Sequence, residues 1–236
     1  MKILVIGTGM YVSGRNTKQY GTIFPSIIEF QRIQNIKDLE VIFVGTKVKN
    51  LKLSKKKIIK ALKLSGLSLK LTFYPKNKKK YNYIDVIKKE KNISCAIIAV
   101  PDHLHYEVVN KCLDYNLHTL VVKPFTTKLI EAKKLIKKQK RKKLIGLVEF
   151  HKRFDKHNLL LKNFYESKKL GQPLYFNVEY SQKKIIPEKV FKGWSSKTNI
   201  LQYLGVHYID MVHFITKAIP VRVLAMGQKN WLKKKN

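Results

Sequence analysis

The chain has 236 residues, 44% of them hydrophobic, which is enough for one large domain or two modest ones with a buried core. It carries 49 Lys and Arg against 15 Asp and Glu, a formal net charge of +34, and such a charge suggests nucleic-acid binding. Arg, the usual reader of phosphates and bases, occurs at only five positions, and the Lys residues are spread over most predicted surfaces. We therefore expect no specific nucleic-acid partner, only weak, salt-sensitive adhesion to polyanions.

The apolar segments and the two cysteines limit the compartment. No apolar run approaches the roughly 18–20 residues of a membrane-spanning helix, and the N-terminal apolar stretch is too short for a signal peptide. Cys95 and Cys112 fall in a predicted strand and a predicted helix, without the spacing of metal ligands. We expect a cytoplasmic protein with reduced thiols, no membrane association and no bound metal.

Strand and helix patterns alternate over the first 150 residues. Apolar runs predict strands at 2–6, 40–44, 69–74, 96–100, 118–122 and 144–149. Helical periodicity predicts helices at about 22–32, 54–64, 81–89, 103–115 and 126–139. The fold class predicted by this alternation is α/β, with an N-terminal Rossmann doubly wound parallel sheet.

The pattern changes past about residue 150. Helices are predicted at 157–168 and 200–215, and an antiparallel strand at 174–181, where apolar and polar side chains alternate. A further strand is predicted at 221–226, and two strands do not make a stable independent sheet. We expect a dinucleotide-binding domain at 1–124 and a partial α+β domain with antiparallel strands at 125–236. The second domain would bind substrate and mediate oligomerisation, and we expect it to be incomplete.

A glycine-rich turn follows the first predicted strand. Its residues are Gly7, Thr8, Gly9, Met10 and Tyr11. Glycines in this position let backbone amides approach a diphosphate. The spacing is irregular, because Val12 stands where a third glycine is expected and the next glycine is Gly14. The turn predicts nucleotide binding, and an ordinary strand-to-helix turn is the alternative.

The end of the second strand selects the cofactor. An acidic residue there would bind the ribose hydroxyls of NAD, but this strand ends in Gly45-Thr46-Lys47, and no carboxylate follows until Asp85. A hydroxyl and a cation suit a 2′-phosphate, so we expect NAD(P), with NADP slightly favoured. The alternative is that Lys47 is one more surface lysine.

The segment 96–125 predicts a strand-helix-strand crossover, and the carboxyl ends of its strands would line a ligand crevice. Pro101, His105 and Lys123 follow those ends. Lys123 precedes Pro124, which restricts its backbone to an extended form and directs the side chain toward the crevice. A partly desolvated lysine there could exchange a proton with a substrate hydroxyl; a solvated surface lysine is the alternative.

A second candidate pair lies in the helix predicted at 200–215. His207 and Asp210 have i, i+3 spacing, which puts both on one helical face. An imidazole beside a carboxylate is a plausible acid/base pair. A histidine satisfied within the core is the alternative.

Five motifs occur in a characteristic order: the glycine turn, AVPDHLH, VVKP, HKRFD and LGVHYID. Together they resemble the Gfo/Idh/MocA family of NAD(P)-dependent oxidoreductases. The resemblance implies a Rossmann domain followed by a mostly antiparallel sheet. It also implies that Lys123 is the catalytic lysine, that His207 is the acid/base, and that Pro101 and His105 border the cofactor. Further residues would fall near the substrate and hinge regions: Arg153, Asp155, Trp194, Asn199 and Asp210.

Three departures from the family pattern stand out. Val122 replaces the glutamate before the lysine, Tyr203 replaces an aspartate that would belong to the substrate site, and members usually run about a hundred residues further. The resemblance implies hydride transfer between NAD(P) and a hydroxyl or keto carbon of a sugar, cyclitol or related polyol. It also implies a homo-oligomer where the second sheet is complete. The alternative is a non-catalytic nucleotide-binding member that acts as a sensor or partner subunit.

Overall fold

The computed structural model describes residues 1–76 and 82–227, arranged in two compact units, the first ending at Glu149 and the second beginning at Phe150. The first unit contains six strands: β1 (Lys2–Ile6), β2 (Glu40–Val44), β3 (Lys70–Tyr74), β4 (Cys95–Ile98), β5 (His118–Val122) and β6 (Gly146–Glu149). They form one sheet in the order β3-β2-β1-β4-β5-β6, and every neighbouring pair is parallel. The predicted α/β fold class with a Rossmann-type sheet is confirmed.

Helices cover both faces of this sheet. They are α1 (Met10–Ser13), α2 (Ile23–Gln34), α3 (Val48–Ser65), α4 (Tyr83–Lys89), α5 (His105–Asp114) and α6 (Leu129–Arg141). Alternate residues of a strand point to opposite faces, so Leu4 and Ile6 enter one apolar cluster while Ile3 and Val5 enter the other. With a core on both faces, β1 is the central strand, and the turn that follows it is held rigidly.

The helix boundaries differ from the predictions mainly at α3. Its buried positions Leu51, Ser54, Ile58 and Ala61 recur at helical spacing, and the helix begins at Val48 rather than 54. Only Leu51 is buried in its first turns, so the lysine-rich start gave little periodic signal. The first residue of the helix predicted at 81–89 lies outside the described residues.

The first compact unit ends at Glu149, not at the predicted residue 124. Strand β6 pairs with β5, from Thr119↔Gly146 to Val122↔Glu149, and α6 connects the two strands. The predicted division into 1–124 and 125–236 therefore cuts through a single sheet.

The second unit is helical in its described part. It contains α7 (Lys156–Glu166) and α8 (Val206–Thr216), with short 3₁₀ turns at His151–Phe154 and Ser195–Lys197 and π turns at Ile186–Val190 and Leu201–Gly205. The strands predicted at 174–181 and 221–226 are wrong: neither segment is a strand, and Leu174 and Val221 are 94% and 99% exposed. The alternation of apolar and polar residues indicates which side of a strand would be buried, but it does not identify a second strand to pair with. Among the described residues neither segment pairs with another.

Among the described helices none is both long and apolar enough to cross a bilayer.

Cys95 and Cys112 are free thiols. Burial raises the pKa of the Cys112 thiol to about 12, so it remains protonated and packs as an apolar core residue.

Candidate active site

The glycine turn is built into the sheet at the carboxyl end of β1. Gly7 donates its N–H to the carbonyl of Val44 at 2.9 Å, and its φ is +108°. A Cβ added to Gly7 would lie 2.1 Å from the carbonyl oxygen of Ala99, just past β4. Only glycine fits here, because both the backbone conformation and the contact exclude a side chain.

Gly9 differs from Gly7 in facing open space. Its φ is −71°, and a Cβ added there would meet no atom within 4 Å. The preceding Thr8 is buried, and its carbonyl accepts hydrogen bonds from the hydroxyls of Ser13 at 3.1 Å and Ser54 at 2.5 Å. This fixed turn with room beside its backbone fits the diphosphate of a dinucleotide.

The irregular glycine spacing has a structural cause. The turn leads into α1, a helix of four residues that ends at Gly14 with φ +68°. The chain then loops through residues 14–22, which we call the α1–α2 loop, before α2 begins at Ile23. Val12 is fully buried in the core, so the residue at the expected third glycine is a packing position.

Thr46 and Lys47 follow β2 and are both exposed. Lys47 has an extended backbone and is the N-cap residue of α3. The carboxyl ends of β1 and β2 are neighbours in the sheet, so the two residues flank the glycine turn, as a cofactor-selecting position must. The preference for NADP stays a prediction.

His105 joins the loops that follow β4 and β5. It is 0% exposed; Nδ1 lies 2.6 Å from the carbonyl oxygen of Pro124 and Nε2 lies 2.9 Å from that of Val100. Burial lowers the pKa of His105 and outweighs the two carbonyls and Asp102, which raise it. His105 thus holds together, from inside the protein, the loops that follow β4 and β5.

Lys123 lies at the end of β5 with its backbone held on both sides. Val122 before it pairs with Glu149 of β6, and the carbonyl of Pro124 after it contacts His105. The peptide bond between Lys123 and Pro124 is cis. In the first unit, the structure brings together the glycine turn, Pro101, His105 and Lys123 at the carboxyl ends of β1, β4 and β5.

Two residues of the first unit have features that the sequence did not reveal. Glu149 accepts a hydrogen bond from the hydroxyl of Tyr11 at 2.8 Å, and it is the register partner of Val122. Arg15, in the α1–α2 loop, is a half-buried cation. The position of Glu149 at the end of a predicted strand was the only available signal for it.

In the second unit, Arg153 and Asp210 bind each other. Arg153 Nε donates to Asp210 Oδ2 at 2.7 Å, and a second nitrogen donates to Oδ1. The hydrogen bond to Asp210 raises the pKa of Arg153. The guanidinium also lies over the rings of Phe150 and Phe214, at 5.0 and 5.4 Å from their centroids. This pair joins the His151–Phe154 turn to α8.

His207 lies one turn before Asp210 on α8 and is 3% exposed. Its ring contacts the ring of His151 edge-on at 4.9 Å between centroids, and that of Phe150 at 6.2 Å. His151 is exposed. The predicted acid/base is therefore a buried imidazole next to an accessible one.

The other predicted substrate residues separate into two groups. Trp194 and Tyr203 both pack on Phe191, at 4.5 and 4.9 Å between ring centroids. Asn199 and Asp155 instead accept hydrogen bonds from backbone N–H groups, those of Gln202 at 2.9 Å and His157 at 3.1 Å. The first group forms an aromatic cluster, and the second caps helical turns.

Comparisons with known proteins agree with this geometry. A family model described as "Oxidoreductase family, NAD-binding Rossmann fold" (GFO_IDH_MocA) matches residues 1–150, and one for the GFO/IDH/MocA C-terminal domain matches residues 159–234. An uncharacterized oxidoreductase of Schizosaccharomyces pombe is 33% identical over 135 residues, 57% of this chain and 37% of that protein.

Two similar relatives carry substrate names. Inositol 2-dehydrogenase of Salmonella typhimurium is 28% identical over 139 residues, 58% of this chain and 39% of the relative. The scyllo-inositol 2-dehydrogenase (NADP(+)) of Bacillus subtilis is 28% identical over 152 residues, 61% of this chain and 42% of the relative. The matches thus span well under half the length of these relatives.

Among solved structures, myo-inositol 2-dehydrogenase from Lactobacillus plantarum has a TM-score of 0.67 at 18% identity. The likeness covers 92% of this chain and 56% of that one. At this identity it shows a shared fold, and the chain spans little more than half of the solved protein.

Proposed function

Because this chain belongs to the Gfo/Idh/MocA family of oxidoreductases, we propose that it transfers a hydride between NAD(P) and a hydroxyl or keto carbon of a cyclitol, sugar or related polyol. The observation that carries the proposal is that the open glycine turn after β1 lies at the same sheet edge as Lys123, which follows β5 and whose next residue is fixed by His105. Relatives named inositol dehydrogenases support the cyclitol class.

The cofactor would bind along the carboxyl ends of β1 and β2. The residues proposed to hold it are those of the glycine turn, with Thr46 and Lys47 at the ribose and Pro101 at the nicotinamide side, where the buried His105 would support the wall behind it. The exposed Lys47, with no carboxylate in the segment 41–84, supports NADP over NAD. The bound nicotinamide supplies the hydride acceptor or donor.

In the proposed reaction, the side chains of the protein polarise the substrate oxygen and transfer its proton. We propose that the ammonium of Lys123 polarises this oxygen. In the oxidative direction His207 would take the hydroxyl proton and pass it toward solvent through the exposed His151, whose ring centroid lies 4.9 Å from that of His207. The Arg153–Asp210 pair would orient α8 and with it His207.

The aromatic cluster of Trp194, Phe191 and Tyr203 supports a substrate of ring type. Flat aromatic faces pack against the C–H faces of sugars and cyclitols by burying apolar area. Because Tyr203 stands where the family resemblance implies an aspartate, one hydrogen-bond acceptor for a substrate hydroxyl would be absent at that position.

The proposal is tested by titrating the full chain with NADPH and NADH by fluorescence and then assaying turnover with myo-inositol, scyllo-inositol and aldoses. Lys123→Met should lower kcat about 10²- to 10⁴-fold while the Kd for NADPH stays within about threefold, because a cofactor held mainly by backbone amides keeps those contacts. The matched control is Lys134→Met, an exposed lysine of α6.

Each negative result would refute a different part of the proposal. Unchanged kcat in Lys123→Met would refute the catalytic role of Lys123. Absence of binding to either dinucleotide would refute the cofactor assignment. Tight dinucleotide binding without turnover on any polyol would favour the non-catalytic sensor.

A further inference from the structure

Arg15 is a cation whose partner is not supplied by the described chain. Its side chain is half-buried, and no hydrogen bond or ion pair joins it to another residue in the ranges 1–76 and 82–227. Burial lowers the pKa of its guanidinium. A guanidinium has five N–H donors, and removing them from water without acceptors is costly. The position therefore suits an anion that comes from outside the chain.

The α1–α2 loop that carries Arg15 is firmly held. Gly14 donates its N–H to Met10 at 2.7 Å, and Thr17 donates both its N–H and its hydroxyl to the Gly14 carbonyl, at 3.0 and 2.9 Å. The ammonium of Lys57 donates to the carbonyl of Gln19 at 3.0 Å. Because both ends of the loop are tied, the backbone of Arg15 is fixed before a ligand binds, and little backbone entropy is lost on binding.

Apart from the Glu149 carboxylate, which binds Tyr11, the segments around the glycine turn carry only positive charges. Residues 1–28 contain no Asp or Glu, and neither do residues 41–84. The α1–α2 loop contributes Arg15 and Lys18, and the turn after β2 contributes Lys47. Within these segments no carboxylate is available to neutralise Arg15, so the field at the carboxyl ends of β1 and β2 attracts anions.

We propose that Arg15 binds a diphosphate group together with the backbone amides of the glycine turn. A planar guanidinium makes paired hydrogen bonds to phosphate oxygens. Gly9 has open space beside its backbone, and only the four-residue helix α1 and Gly14 separate it from Arg15. Two sources share this chemistry: the diphosphate of the dinucleotide cofactor and a diphosphate on a nucleotide-linked substrate. The cofactor source rests on the proposed function, but the site itself does not.

The test measures binding of inorganic pyrophosphate and of NADH by calorimetry on the full chain. Arg15→Met should weaken the affinity for pyrophosphate about tenfold to a hundredfold, because charge-assisted hydrogen bonds are lost. Arg15→Lys should restore part of it. The matched control is Lys18→Met, an exposed cation of the same loop, which should change the Kd less than about threefold.

Stability provides a second readout. Arg15 makes no hydrogen bond or ion pair with the described residues that Met would lose, so the thermal midpoint of Arg15→Met should equal or exceed that of the wild type. A large fall in the midpoint would indicate a structural role and overturn the proposal. Pyrophosphate and NADH affinities equal to those of the wild type would overturn it as well.

Competition identifies the source of the anion. If pyrophosphate displaces NADH, Arg15 serves the cofactor. If pyrophosphate binds to NADH-saturated protein and Arg15→Met abolishes that binding, Arg15 serves a nucleotide-linked substrate. If the wild type binds no dinucleotide, the proposed function fails, and pyrophosphate binding alone decides the role of Arg15.

Discussion

Tyr11 and Glu149 are joined by a hydrogen bond of 2.8 Å from the phenol hydroxyl to the carboxylate. Tyr11 follows β1 and Glu149 ends β6, and the strand order places β4 and β5 between them. At about 4.8 Å per strand, these two residues belong to strands roughly 14 Å apart. The bond therefore bridges the two strand ends that lead to His105 and Lys123, and it ties the glycine turn to the far edge of the site.

The Tyr11–Glu149 bond should contribute to stability. Tyr11→Phe keeps the ring but removes the donor, so it should lower the free energy of unfolding by about 1–2 kcal/mol, since the acceptor is charged and partly buried. Urea unfolding measures this. Tyr115→Phe, an exposed phenol at the end of α5, is the control and should change the free energy by less than about 0.5 kcal/mol. Equal effects of the two substitutions would contradict the bridge.

His105 should make stability depend on pH in a defined direction. Its pKa is lowered in the fold, so below the ordinary histidine value of about 6.5 the unfolded chain binds more protons than the folded one. The free energy of unfolding should therefore fall as the pH drops from 7 through 6.5 and below. His105→Gln should be less stable at pH 7 and should lack this component of the slope.

The measurement for His105 is the pH dependence of urea unfolding between pH 5 and 8, compared as slopes rather than absolute stabilities. His118→Gln serves as the control, because His118 is an exposed histidine of the same unit. Identical slopes for the wild type and His105→Gln would show that His105 does not set this dependence.

The sequence predicted local features well where one residue pattern determined them. Strand β5 was predicted with its observed bounds, 118–122, because an apolar run stops abruptly at Lys123-Pro124. The two apolar clusters, one on each face of the sheet, follow from the alternation of side chains along buried strands. Pro101, His105 and Lys123 were placed correctly at strand ends, since parallel topology alone brings such ends to one edge.

Pairings between distant residues could not be predicted. Nothing near Glu149 indicates Tyr11 as its partner 138 positions away, and nothing near Asp210 indicates that it binds Arg153. The segment 174–181 shows the same limit, because its sequence predicts a strand that the structure does not contain. Its alternation is a local property, but a strand exists only with a hydrogen-bonded neighbour, and the described chain provides none.

The two glycines of the turn should respond differently to alanine. Gly9→Ala has an ordinary φ and open space around its Cβ, so its free energy of unfolding should stay within about 1 kcal/mol of the wild type. Its methyl group would occupy the space proposed for a diphosphate, and NADPH affinity should fall at least about tenfold. Fluorescence titration and urea unfolding together separate these effects.

Gly7→Ala is the counterpart of Gly9→Ala. It combines φ +108° with a 2.1 Å contact to the Ala99 carbonyl, so it should destabilise the fold by about 3 kcal/mol or more. If Gly9→Ala instead bound NADPH like the wild type, the space beside Gly9 would not be the diphosphate position.

The Arg153–Asp210 pair should show strong energetic coupling. In a double-mutant cycle with Arg153→Met and Asp210→Asn, the coupling energy should be about 1–3 kcal/mol, because the bond is bidentate and Asp210 is 10% exposed. The control is the Lys162–Glu166 pair of α7, an i, i+4 pair with an exposed carboxylate, which should couple by about 0.3–0.5 kcal/mol. Because Asp210 lies one turn after His207 on α8, both single variants should also lower kcat more than they raise KM, and neither control substitution should change kcat. Coupling no larger than that of Lys162–Glu166 would show that the pair does not hold α8 in place.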